Sequence, residues 1–222
     1  MARSGEESDQ LGLSAHVRPV AVLDACVLIP AGLRDLLLSC ADAKIFRPVW
    51  QDEILDEVRR NGTRLLEARN GLSQEAAAKA LDHTLGQMNA AFPDASADSA
   101  VWVPLVPSMT NDAKDRHVLA VASGIEATHL VTVNLDDFPV ESRPPSVAVV
   151  HPDRFMLDRF AETPELVVGA VEAMSRRLRN PPATALQLAM QLSEGQFTPQ
   201  FGESLRARLA GNPVAGGNRD RE

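Results

Sequence analysis

Four separated segments of this 222-residue chain carry carboxylates where an apolar element ends or a helix turns. Asp24 closes the apolar run Val20–Leu23. Glu57 lies in an acidic helical stretch over 51–60 that also holds Asp52, Glu53 and Asp56. Asp115 lies in the segment DAKDRHVLAVA, and Asn134, Asp136 and Asp137 follow the apolar run 129–133. Hard divalent cations such as Mg2+ and Mn2+ prefer carboxylate and water oxygens, and a protein site for them needs few ligands but concentrated negative charge. A carboxylate that ends a buried strand is held rigidly while its head reaches the edge of the sheet, where open α/β sheets carry their sites. Together the four segments read as one metal site, and no Ser/His/Asp constellation is apparent beside it.

Each of these residues also has an ordinary structural explanation. Asp24 could simply cap the next helix, since Asp after a strand is a common N-cap. Glu53 and Glu57 are four apart and share a helix face, and Asp52 and Asp56 repeat the pattern one residue earlier, so all four could form a solvated acidic surface. Glu57, beside Val58, is the preferred ligand and Glu53 the alternative one turn away. Asp112 suits the first turn of a helix over 112–123, with Asn111 or Thr110 as cap. Asp115 then sits deeper, opening onto Val118 and Leu119, where an acid has less structural reason to be. His117 reads as a half-exposed helix histidine rather than a ligand. Lys114 and Arg116 are candidates for the substrate backbone, and Thr132 is either a strand threonine or a hydrogen-bond partner for ligand or water. Asn134 to Pro139 reads as a turn, and a turn can present ligands.

Alternating short apolar runs and helices must position these groups. Strand candidates are Val20–Leu23, 45–49, 101–106 as an edge strand because Pro104 interrupts it, 130–133 and 147–150. Helices are expected over 30–39, over 51–60 with Asn61-Gly62 closing it, over 64–92 in one or two pieces with a new start after Gly71, and over 112–123. This alternation predicts an α/β fold, a mostly parallel sheet flanked by helices. After Pro152 only helices follow, over 153–160, 164–179, 183–192 and 201–209. The chain therefore divides into a disordered start (1–17), an α/β domain (18–152), a C-terminal helical extension (153–210) and a disordered tail (211–222).

Length suffices for a full core without disulfide or metal staples. Cys26 and Cys40 show no pairing or metal spacing and read as reduced core thiols; a reactive Cys26, two residues from Asp24, is the alternative. The polar, acidic N-terminus is no secretory signal, and no apolar run approaches the roughly 20 residues that cross a bilayer. A cytoplasmic protein away from the membrane is expected. Residues 1–150 hold 13 Lys/Arg against 21 Asp/Glu, whereas 151–222 hold 9 of each. That balance opposes generic adhesion to nucleic acid. The objection weakens once divalent ions invert the local charge of a carboxylate cluster.

The ordered set VLDACVLIP, WQDEILDEVRR, DAKDRHVLAVA and VTVNLDDF resembles the PIN-domain nucleases and, more narrowly, the bacterial toxins of VapC type. The resemblance spans roughly residues 18 to 152, and the order and spacing of four motifs make it specific. It implies a PIN-like fold and a metal-dependent endoribonuclease that uses Mg2+ or Mn2+ to activate water. It assigns the acids to Asp24, Glu57 and Asp115, with the fourth polar position at Asn134 or Asp137 and Asp136 as a further choice. It also implies a toxin of a type II toxin–antitoxin pair that acts on RNA, is inhibited by a cognate antitoxin and often forms homodimers. Two rivals stand beside it. A phosphatase with an aspartyl nucleophile of the haloacid dehalogenase type would need a second Asp where Cys26 stands, and a PIN-like binding module without a metal would fit an uncharged residue at Asn134.

Overall fold

The computed structural model describes residues 18–179 and 181–211; the segments expected to be disordered, 1–17 and the tail beyond Gly211, lie outside them. Ala21, Val22 and Leu23 of β1 (Val20–Leu23) are all fully buried, as a parallel strand covered on both faces requires. β1 pairs in parallel with β2 (Arg47–Val49) on one side and with β3 (His129–Val131) on the other, and β3 pairs in parallel with β4 (Ala148–Val150). The order is β2-β1-β3-β4. The fold is the expected α/β arrangement, an all-parallel sheet flanked by helices.

In the central pair Leu23 stands opposite Val131. One residue further on, the register therefore sets Asp24 beside Thr132 at the carboxyl edge of the sheet. The Asp24 N–H continues the ladder by donating to the Val131 carbonyl at 3.2 Å.

A four-residue helix, α1 (Ala25–Leu28), follows Asp24 directly, and α2 (Ala31–Asp42) follows Pro30. The long acidic helix α3 (Asp52–Asn70) overruns its expected end at Asn61-Gly62. The reason lies in packing: a Cβ on Gly62 would stand 3.0 Å from Leu81 Cδ1 of α4 (Gln74–Ala91). Gly62 thus marks the close approach of two helices rather than a terminus. The true end is Gly71, at φ +63°, whose N–H caps the Glu67 carbonyl. Ser73 then caps α4.

The edge strand expected over 101–106 does not form. Those residues fold as α5 (Ser99–Trp102) and a 3-10 turn, Val103–Ser108, because Pro104 and Pro107 lack the N–H groups a ladder needs.

The helix expected over 112–123 begins four residues later, as α6 (Arg116–Gly124). Residues 112–115 form a turn instead, in which Asp112 accepts from the Lys114 N–H at 3.1 Å and the Asp115 N–H donates to the Asp112 carbonyl at 3.0 Å. Val118 to Ala122 are all fully buried, so α6 is enclosed and anchors the turn before it.

The C-terminal helices α7 (Pro152–Glu162), α8 (Pro164–Arg177), α9 (Ala185–Glu194) and α10 (Pro199–Leu209) lie where periodicity puts them. Their apolar faces join the hydrophobic cluster of the sheet, with Phe155 edge-on to Phe46 at a centroid distance of 5.0 Å. Buried Asp153 accepts from the N–H groups of Phe201 at 2.9 Å and Gln200 at 3.2 Å, which satisfies the start of α10 from the start of α7. The extension therefore completes the core. No helix among the described residues is long and apolar enough to cross a membrane.

Candidate functional site

Asp24 has extended backbone (φ −65°, ψ 154°) and two roles at once. Its Oδ1 accepts from the Ala25 N–H at 2.7 Å and so caps α1. Its Oδ2 accepts from the Thr132 hydroxyl at 2.7 Å and from the Cys26 thiol at 3.1 Å. The cap and the fixed carboxylate are one feature.

Thr132 is fully buried and takes the Asn134 N–H at 3.0 Å on the same oxygen. It positions Asp24 and the following turn, and so departs from the expectation that it meets substrate. Cys26 accepts from the Val133 N–H at 3.3 Å while donating to Asp24. Burial above all, then the Asp24 charge, push its thiol far above the ordinary range, so it serves as a protonated donor and not as a nucleophile. Cys40 is fully buried, and burial pushes its thiol up to about 12.

Asp115 occupies the residue before α6 and makes no cap with its side chain. Its Oδ2 is buried and accepts no hydrogen bond, the Lys114 ammonium standing 3.7 Å away. Burial raises the Asp115 carboxyl to about 7, the Asp24 carboxylate adds to the rise, Lys114 opposes it, and Asp137 and Glu57 add smaller repulsions. Lys114 reaches Asp137 at 3.1 Å, and these carboxylates hold its ammonium above the ordinary lysine range.

Asp24, Glu57, Asp115 and Asn134 line one cleft of about 510 Å3, together with Glu53, Asp56, Arg60, Asn61, Lys114, Cys26 and His117. Glu57 is half-buried, and its Oε1 accepts from Asn61 at 3.3 Å, whereas Glu53 is exposed. The Nε2 of His117 is buried without a partner. Asp137 stands behind Lys114 rather than on the cleft lining, and Asp136 is exposed. Arg116 donates from Nε to the Asn111 carbonyl at 3.2 Å and does not line the cleft, so it ties down the turn before α6. Arg60 and Asn61 also line the cleft, and their i+3 and i+4 spacing from Glu57 is the signal for them in the sequence.

The donor set suits a hard cation. It is all oxygen, its carboxylates repel one another, and buried Asp115 Oδ2 accepts no hydrogen bond, the Lys114 ammonium at 3.7 Å only partly offsetting its charge. Among the described residues no three His, Cys, Asp or Glu side chains already stand at closed metal-binding spacing.

The cluster has a measurable consequence in metal-free protein. Because the folded state holds the Asp115 proton more tightly than the unfolded state, stability is complete below the ordinary carboxylate pKa of 3.8 and falls as pH rises through about 7. At about 1.4 kcal/mol per unit, the loss is on the order of a few kcal/mol. Urea unfolding in chelator between about pH 5 and about pH 8 should show this decline, and Asp115→Asn should flatten it. A wild type whose stability is level across that range would refute the assignment.

The sheet edge, the acid-lined cleft and the order of the elements define a class. The chain belongs to the PIN-domain family: residues 20–136, more than half its length, match the PIN domain. Residues 152–207 match the VapC50 C-terminal domain. A relative named "Putative ribonuclease VapC50", from Mycobacterium tuberculosis, is 36% identical over 103 residues, which cover 46% of this chain and 60% of that protein. No solved structure matches the chain significantly.

Proposed function

We propose that this protein is a metal-dependent endoribonuclease and the toxin of a type II toxin–antitoxin pair. Residues 18–152 would form the nuclease domain, and 153–210 a helical extension that supports it. The observation that carries the reading is buried Asp115 Oδ2, which accepts no hydrogen bond in a cleft it shares with Asp24 and Glu57. Asp24, Glu57 and Asp115 would hold Mg2+ or Mn2+, with Asn134 or Asp137 as the fourth polar group. When bound, the ion supplies Lewis acidity toward a phosphodiester and lowers the pKa of water.

The chain's own residues supply the rest. Thr132, Cys26 and the Ala25 N–H lock the Asp24 carboxylate in one orientation, so no rotamer freedom is lost when it takes up its ligand. Lys114, held between Asp115 and Asp137, offsets the like charges that otherwise favour protonated Asp115. The Cys26 thiol occupies the position where an aspartyl-nucleophile phosphatase would carry its second Asp, and it is a buried donor, which counts against that alternative.

The RNA substrate, the cognate antitoxin that blocks the cleft, assembly as a homodimer and action in the cytoplasm belong to the same proposal. They draw on the VapC-type family and on the name of the mycobacterial relative. The test is direct. RNA incubated with purified protein should be cleaved in Mg2+ or Mn2+ and left whole in excess chelator. Undiminished cleavage in chelator would overturn the metal-dependent reading.

A further inference from the structure

Arg60 stands on the cleft, exposed, and forms no ion pair among the described residues. The carboxylates that could quench it are engaged elsewhere: Asp56 pairs with Arg59 at 2.6 Å, and Glu57 accepts from Asn61 at 3.3 Å. Lys114, the other cation on the cleft, is held by Asp137 and Asp115. Arg64, one turn further along α3, is also exposed and unpaired among the described residues. Like charges four apart on one helix face repel. An anion seated between the two guanidinium groups would relieve that repulsion.

Helix geometry sets the pair in line with the acids. At about 100° and about 1.5 Å per residue, Glu57, Arg60 and Arg64 fall within an arc of about 60°, with Arg60 about 4.5 Å and Arg64 about 10 Å beyond Glu57. A guanidinium fork matches two phosphate oxygens. With a net charge of −8, the chain as a whole does not attract a polyanion, so local cations must do so.

We propose that Arg60, backed by Arg64, grips a phosphate next to the scissile one, so that the RNA strand enters the cleft along the C-terminal half of α3. This rests on the ribonuclease reading above.

The test uses the full chain with Asp24→Asn to silence cleavage, and a fluorescent mixed-sequence single-stranded oligoribonucleotide titrated at several salt concentrations. Added Arg60→Gln should weaken binding roughly ten-fold and make the slope of log affinity against log salt shallower by about 0.7, the loss of one phosphate contact to a single strand. Arg64→Gln should weaken binding less. Arg69→Gln, on the same helix but off this face, should change neither quantity. In the cleavage-competent protein, Arg60→Gln should slow degradation of total RNA at limiting RNA and recover at saturation, the sign of lost ground-state binding. Arg60→Gln with undiminished affinity and salt slope, in a protein that cleaves RNA, overturns the Arg60 assignment alone. Equal weakening by Arg69→Gln also overturns it, because the attraction would then be diffuse. A wild type that neither cleaves total RNA nor retains the oligonucleotide overturns the ribonuclease reading and this assignment with it.

Discussion

Replacing Asp24 or Asp115 by Asn is expected to lower RNA cleavage at least about a thousand-fold while leaving the fold intact, a barrier penalty of roughly 4 kcal/mol at about 1.4 kcal/mol per decade. The two substitutions remove charge in different ways. Asn at position 24 can still cap α1 with its carbonyl oxygen, and its amide would face the Thr132 hydroxyl, which can turn to accept. The cap survives, but the Cys26 thiol loses its acceptor and the fixed negative charge at the sheet edge is gone. Asn at position 115 removes a buried charge whose Oδ2 accepts no hydrogen bond, and with it the repulsion from Asp24, Asp137 and Glu57. That variant should therefore unfold at higher urea than wild type in chelator at neutral pH. Circular dichroism and urea midpoints separate loss of chemistry from loss of fold. Variants that remain active, or that unfold, would count against both residues as ligands.

Asp24 stands out in the sequence because strand β1 is a plain apolar run ended by an acid, although a helix cap accounts for such an acid as well. What holds Asp24 was not legible. Thr132 lies 108 residues away, and it meets the carboxylate only because β1 and β3 pair with Leu23 opposite Val131. Register of that kind is a long-range property that no local pattern carries.

The errors in helix limits share one cause. Gly62 reads as a stop in isolation, and it is the proximity of Leu81, on another helix, that makes it a packing residue. In the sequence Asp115 reads as an interior helix residue, yet it precedes α6 in a turn. Its candidacy as a ligand therefore stands on a different footing: a buried oxygen that accepts no hydrogen bond, rather than an acid misplaced on a helix face. The helical extension was located correctly from periodicity, while its place in the core depends on contacts such as Phe155 on Phe46 that periodicity does not specify.

The same distinction between local pattern and spatial setting decides which acid of α3 matters. Glu53 and Glu57 are one turn apart, about 6 Å along the axis, and both line the cleft. Sequence spacing treats them alike. Their surroundings do not: Glu57 is half-buried and held by Asn61, and its charge reaches Asp115, whereas Glu53 is exposed and contributes nothing resolved to the Asp115 carboxyl. Glu57 shares the cleft with Asp24 and Asp115 and adds to the repulsion on Asp115, which makes it the better placed of the two to share an ion with them. Glu57→Gln should therefore cost roughly a hundred-fold in cleavage, about 3 kcal/mol, and a comparable share of metal affinity, while Glu53→Gln should stay within a few-fold of wild type. Calorimetric titration of metal and initial rates on the same RNA give both quantities. If Glu53→Gln proves the more damaging, the ion sits one turn nearer the start of α3, and Arg60 would then lie too far from it to hold the neighbouring phosphate.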